Sequence, residues 1–389
     1  MPAGYQTERE KRDKRFESRY QIAASNLMEP EKLNKSFEGR PPNDKITRGM
    51  VPILPVLNPM TLSSGCVLCH QGAKMVLFVT GRCHRSCWYC PLSSGRRGKD
   101  AVYANEHLVK NPARIIEEAD AMSALGTGVT GGEPLLCLDR VVEYCRLLKD
   151  HFGKEHHIHL YTAQAPSDDE LIRLQGLVDE IRLHPPHECW EDILSSDFIR
   201  SAQHAKALRF EIGIEVPALP GLDHLVPALQ YLDFLNINEL EWGETNADEM
   251  RRRGFELCDG VHNAVKGARA WADELCCHEK VHWCSSAFKD SVQLRERLKR
   301  IARNTARPFD EITDDGTVVY GVVEPCAGTM AACTDLCRNE FGEESFAVDA
   351  GHIDMAWWVL AHLAESLPGK KYIVERYPNG GIVVEVTPL

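Results

Sequence analysis

Met75-Val76-Leu77-Phe78-Val79-Thr80-Gly81-Arg82 runs directly into Cys83-His84-Arg85-Ser86-Cys87-Trp88-Tyr89-Cys90. The first half is a short apolar run rich in β-branched and aromatic residues, which predicts a buried strand. The second half sets three thiols at CxxxCxxC spacing on one loop, where they can converge on a single metal cluster. Three thiolates leave an iron–sulfur cube one protein ligand short of the usual four, and the open iron can take an outside chelator. A structural zinc loop or a trio of buried thiols is the plainer alternative. A second motif, Thr130-Gly131-Gly132-Glu133-Pro134, closes the next apolar run.

Working outward, apolar runs recur at 75–80, 127–130, 157–161, 178–183, 209–215 and 233–238, with helix-compatible segments between them. One such segment starts at Asn111-Pro112, with Asn111 expected as N-cap and Pro112 at the first helical position. Another spans Leu138 to Lys149. Strands alternating with helices predict βαβ units and a parallel sheet. The rhythm alone fits a doubly wound sheet as well as a barrel. In either architecture chemistry collects at the C-terminal strand ends. Beyond the cysteine loop and Gly131-Gly132-Glu133-Pro134, those ends offer His157 to Thr162, Arg182-Leu183-His184, Glu211 to Pro217, and Asn236 to Glu241.

The CxxxCxxC loop with aromatic Tyr89 before its third cysteine, followed by Gly131-Gly132-Glu133-Pro134 after the second strand, resembles the radical S-adenosylmethionine (SAM) superfamily. The phrase Val76 to Gly81 and an upstream CxxC are similar to archaeal members near the pyruvate-formate-lyase-activating and molybdopterin-biosynthesis enzymes. The resemblance implies an α/β fold, a partial (β/α)6 barrel over 65–245. An N-terminal extension (1–64) would precede it and a helical and small α+β appendage (246–389) would follow. It implies a [4Fe-4S] cluster on Cys83, Cys87 and Cys90, with SAM chelating the open iron. Reductive cleavage there would give a 5′-deoxyadenosyl radical that takes hydrogen from a substrate. It further implies that Gly131, Gly132, Glu133 and Pro134 bind the methionine amino group, with Glu133 as charged acceptor, and that Tyr89 lies near the adenine through its backbone. Arg182, Glu215 and Asn236 are further candidates for SAM contacts. The expected partners are a reducing donor such as ferredoxin or flavodoxin and a substrate that is a protein or peptide, modified or methylated. A tRNA- or cofactor-modifying enzyme is the nearest rival reading, and a non-catalytic iron–sulfur or zinc scaffold is a rival of another class.

The other cysteines raise a separate question. Cys66 and Cys69 form a CxxC turn ahead of the first strand, which reads as half of a metal site, as a redox dithiol, or as unligated thiols. The preferred completion is His282 and Cys284, because HxC and CxxC each supply two ligands from a tight turn. Cys326, Cys333 and Cys337 form another cluster that would suit separate iron, zinc or a second iron–sulfur centre; otherwise they are buried small hydrophobes. No DxHxxG motif occurs, so cobalamin would have to be held without it.

The 389 residues carry a net charge of −12 and are 43% hydrophobic. That charge argues against a dominant phosphate-binding surface. No apolar run is long enough for a membrane span. Residues 1–49 are charged with alternating sign, predicting a solvated helix and an extended arm, and 50–64 read as a Pro-interrupted, packed lead-in. With no apolar h-region at the start, the 15 cysteines are expected as reduced thiols and metal ligands in a cytoplasmic, oxygen-poor setting. Near the C-terminus, Thr317–Val323 predicts a strand, Asp354–Ser366 a helix, and Tyr372–Tyr377 with Ile382–Val386 a hairpin. Ser291 to Ile301 predicts a helix with Leu294, Leu298 and Ile301 on its apolar face.

Overall fold

The computed structural model describes residues 62–260, 262–349, 351–379 and 382–389. The expected N-terminal helix and arm, and all but the end of the lead-in, lie outside these residues.

All six apolar runs form strands of one sheet: β1 (Lys74–Phe78), then, after a two-strand ribbon of β2 (Tyr103–Ala104) and β3 (His107–Leu108), β4 (Gly126–Thr130), β5 (His157–Thr162), β6 (Glu180–Leu183), β7 (Glu211–Pro217) and β8 (Phe234–Asn238). The sheet order is β3-β2-β1-β4-β5-β6-β7-β8-β9, and every pair from β1 through β4 to β9 is parallel. The chain therefore has the expected partial parallel β/α barrel, with a β-rich C-terminal appendage. The sheet does not stop at residue 245. β9 (Val281–Cys284) pairs in parallel with β8 and matches Asn236 to His282 and Asn238 to Cys284. Four residues with alternating polar character carry too weak a periodic signal to stand out in a charged, helical stretch.

Met75, Leu77, Val129, Ile158, Leu160, Ile181, Ile212, Ile214, Leu235 and Ile237 are fully buried between sheet and helices, each contributing roughly 1.5–3 kcal/mol of transfer free energy. The helix Leu138–Phe152 buries Val141, Tyr144, Cys145 and Leu148, a three-to-four-residue spacing that matches one helical face. The helix expected from Asn111 begins at Ala113, and Asn111 Oδ1 accepts from the Ala113 N–H at 3.0 Å, which does the capping work.

Cys66 and Cys69 lie on a helix, Ser64–His70, rather than in a turn. Ser63 caps it, accepting from Cys66 N–H. The helix crosses the N-terminal ends of the strands: Ser64 N–H donates to Glu211 and Gly65 N–H to Glu180, the first residues of β7 and β6. Leu68 lies against Gly126, the first residue of β4. It is a plug in the floor of the barrel.

The second sheet runs β12-β13-β11-β14-β15, with β10 (Glu311–Ile312) beside β11 (Val318–Pro325). β12 (Phe346–Asp349), β13 (His352–Met355), β14 (Gly369–Arg376) and β15 (Val383–Pro388) complete it, and β14–β15 is the expected hairpin. The helix expected from Asp354 starts later, at Trp357, because Asp354 is held in β13 opposite Val322. The segment from Lys289 opens with a π-turn to Leu294 before the α-helix Arg295–Thr305. Leu298 and Ile301 are buried as expected, but the wider turn leaves Leu294 36% exposed.

Candidate active site

The cysteine loop leaves the C-terminal end of β1 and forms one wall of a cavity of about 360 Å³. Cys83, Cys87 and Cys90 line it together with Gly131 and Gly132, and with Tyr161, Thr162, His184, Glu215 and Asn238 from the ends of β5 to β8. Burial pushes the Cys83 and Cys87 thiols up, so metal must displace their protons on binding. All three cysteines are free of disulfides. These residues fit a cluster with one open iron and a chelator beside it.

Gly131 and Gly132 are glycines for space. A Cβ on Gly131 would stand 2.6 Å from the Thr80 carbonyl oxygen, and one on Gly132 2.3 Å from that of Arg82. The loop after β4 thus lies against the cysteine loop, tied by Gly132 N–H to Thr80 O (2.6 Å) and Glu133 N–H to Arg82 O (2.8 Å). Pro134 also lines the cavity. Glu133, expected as an acceptor for an amino group, is not among the residues that line the cavity. Its carboxylate is fully buried and accepts from Leu135 N–H (3.0 Å), Thr162 Oγ1 (2.8 Å) and Ala163 N–H (2.7 Å), fastening the loops after β4 and β5. Burial raises its pKa, against the pull of those donors.

Tyr89 lines the cavity, but its backbone carbonyl is occupied by Asn246 Nδ2 at 3.0 Å. Its hydroxyl meets His184 Nε2 at 3.1 Å, while His184 Nδ1 is 2.8 Å from the Glu215 carbonyl. A carbonyl only accepts, so Nδ1 carries the proton and Tyr89 donates to Nε2. Burial lowers the His184 pKa, keeping the ring neutral. Thr245 Oγ1 donates to the Cys90 and Leu92 carbonyls, and Ser94 Oγ donates to Glu244. Residues 244–246 therefore strap down the cysteine loop. Sequence reasoning missed this strap; its only signal was the run of polar residues after β8.

Arg182 does not line this cavity. It is 2% exposed in the barrel floor, where it donates to Glu180, Glu215 (2.6 Å), Tyr161 Oη (3.1 Å) and Ser63 Oγ (3.0 Å). With its donors spent on protein partners it has none to offer a ligand. Glu180, though buried, is held down to about 2 chiefly by Arg182. Glu215 faces the cavity while also accepting from Asn236 and Asn238. Asn236 belongs to the floor, donating to Cys66 Sγ at 3.2 Å. The cations that do line the cavity are Arg85, Arg97 and Lys289.

Cys66, Cys69, His282 and Cys284 come together around a second cavity of about 140 Å³, as the preferred pairing predicts. Cys326, Cys333 and Cys337 do not form a site. Cys333 and Cys337 sit one helical turn apart inside the C-terminal core with Phe309, Val323 and Leu360, and Cys326 is exposed. Cys333 and Cys337 are small hydrophobes of that core. His157, His159 and Glu180 bring ligand atoms within 4.8 Å of one another. Arg182 pairs with Glu180, and His159 packs against Gly65 and Gly128. Among the described residues no helix is long and apolar enough to cross a membrane.

The sequence model of the Radical SAM superfamily matches residues 77–187, and that of a domain of unknown function (DUF8061) matches 316–389. A protein of Methanocaldococcus jannaschii, provisionally named a glycyl-radical enzyme activating enzyme, is 34% identical over 354 residues, covering 84% of this chain and 93% of its own. Streptococcus suis SuiB bound to SAM aligns over 55% of this chain and 50% of its own, at 11% identity and a TM-score of 0.37. The radical SAM methyltransferase TsrM from Kitasatospora setae, with cobalamin and a [4Fe-4S] cluster bound, aligns over 59% of each chain at 12% identity and a TM-score of 0.37.

Proposed function

This chain belongs to the radical SAM superfamily, and from that premise we propose that it takes a hydrogen atom from a glycine residue of a protein substrate. The observation that carries the reading is the cavity itself. Its volume of about 360 Å³ is at the small end for ligand sites, which favours a slender substrate group. An extended polypeptide with a bare Cα fits that space better than a nucleobase or a ring system. The name given to the 34% identical relative points the same way.

Bound on Cys83, Cys87 and Cys90, the reduced cluster and SAM would supply the primary carbon radical that accepts the hydrogen. The chain's residues do the positioning. Gly131 and Gly132 let the loop after β4 approach the cofactor backbone-first, and Arg85 and Arg97 are placed to hold its carboxylate. The neutral His184 accepts from the Tyr89 hydroxyl and orients it. A tRNA substrate is less well supported: Arg82 and Arg253 pair with Asp100 and Glu249, and the whole chain is acidic.

The test uses extract from cells that natively make this chain, grown with α-deuterated glycine and mixed anaerobically with reduced, SAM-supplied protein. Deuterium in the 5′-deoxyadenosine, with a glycine-centred EPR signal in a second protein, is the expected result. Deoxyadenosine that forms without deuterium would send the reading to another substrate.

A further inference from the structure

The geometry points to a second iron–sulfur cluster in the barrel floor, ligated by Cys66, Cys69, Cys284 and His282. Two independent elements deliver these ligands. Cys66 and Cys69 are three apart on the plug helix and so share a face. His282 and Cys284 are two apart on β9, and register opposite Asn236 and Asn238 puts them on the same inward face. All four line the cavity of about 140 Å³ under the SAM site, and the two cavities share Tyr161, Glu215, Asn238 and Lys289 as walls.

Second-sphere groups are set for charged sulfur. Asn236 Nδ2 (3.2 Å) and Arg182 Nη2 (3.6 Å) point at Cys66 Sγ, Gln293 Nε2 stands 4.0 Å from Cys284 Sγ, and Lys74 lines the same cavity as Cys69. Such donors aimed at sulfur tune and orient metal thiolates. Lys74 contacts Tyr161 Oη at 3.5 Å, and no carboxylate forms an ion pair with it among the described residues; nearby Glu215 is already taken by Arg182. A [4Fe-4S]²⁺ core with three thiolates and a neutral imidazole carries a net −1 charge, and Lys74 lines the cavity that would hold it. His282 Nδ1 and Asn236 Oδ1 are buried and without a hydrogen-bond partner, at 7% and 1% exposure. The unpartnered His282 nitrogen belongs to a residue that lines this cavity and is available as a metal ligand.

A lone zinc ion fits less well. Tetrahedral Zn–S bonds of about 2.3 Å bring sulfurs within about 4 Å of one another. Among the described residues the only three ligand atoms within 4.8 Å are the His157, His159 and Glu180 set. Cys66, Cys69, Cys284 and His282 are spaced more widely, as are Cys83, Cys87 and Cys90, and a cavity of this size has room for bridging sulfides.

The test is a metal and sulfide count on anaerobically reconstituted full-length chain, independent of any activity. The first variant, Cys83→Ala with Cys87→Ala and Cys90→Ala, removes the SAM cluster and should keep about half the wild-type iron and sulfide. Adding Cys66→Ser and Cys284→Ser should remove the remainder. Cys333→Ser, in the distant core, should remove none. Circular dichroism identifies a variant that has failed to fold. His282→Cys supplies a further check in unperturbed ligand number: it should retain iron while losing the nitrogen coupling seen by pulsed EPR. Absence of iron from the folded triple-alanine variant, or zinc without sulfide at this site, would overturn the proposal.

Discussion

Glu133 accepts three hydrogen bonds, two of them from backbone N–H groups. Glu133→Ala leaves buried donors unmet, at about 1–3 kcal/mol each. Urea unfolding should show a loss of at least that size; an unchanged midpoint would mean the carboxylate is free for ligand. Gly132→Ala drives a methyl group into the Arg82 carbonyl and should weaken SAM binding by tenfold or more, about 1.4 kcal/mol, measurable by calorimetry on the reconstituted protein. The three cysteines and the paired glycines were legible in the sequence because spacing and residue type alone define them. The directions of Glu133 and Arg182 were not. Both are polar residues near strand ends, and only strand register decides whether such a side chain meets the cavity, a neighbouring loop or the floor.

At the scale of elements, the strap 244–246 and the plug helix hold the two faces of the barrel. Asn246 reaches Tyr89 and Glu241 carbonyls, and Thr245 reaches those of Cys90 and Leu92. Thr245→Val with Asn246→Ala should leave the barrel folded yet loosen the cysteine loop. Iron should then be lost to a chelator several-fold faster than from wild type, followed by absorbance decay, and an equal rate would remove the strap from the account. The six core strands were readable because their apolar residues recur in a regular rhythm with helix-compatible segments between them. β9 was hidden, since Val281-His282-Trp283-Cys284 earns its strand status from pairing with β8 and from the cavity it faces.

For the whole molecule, buried histidines set the acid limit. Burial lowers His156 to about 4 from an ordinary value of 6.5, with Thr127 Oγ1 at 2.9 Å. A lowered histidine pKa means the unfolded chain binds the proton first. Its stabilising effect is complete above pH 6.5 and falls away as pH drops to 4, by about 3 kcal/mol. Glu180, lowered from 4.5 to about 2, loses its contribution in the next window down. Unfolding free energy of the metal-free chain should therefore decline from pH 7 to 4, and His156→Gln should flatten that decline. The C-terminal appendage was legible as strands, a helix and a hairpin, but the burial of Cys333 and Cys337 in its own core could not be distinguished from metal ligation by spacing alone.

The most direct measurement is 5′-deoxyadenosine formed by the anaerobically reconstituted chain with dithionite and SAM, beside Cys87→Ala. The wild type should form it, and the variant, lacking one of three cluster ligands, should fall at least 100-fold, about 2.7 kcal/mol in the barrier. A wild-type chain with a full, reduced cluster whose EPR spectrum is unmoved by SAM, and which forms no deoxyadenosine, would contradict the assignment of this cavity to radical chemistry.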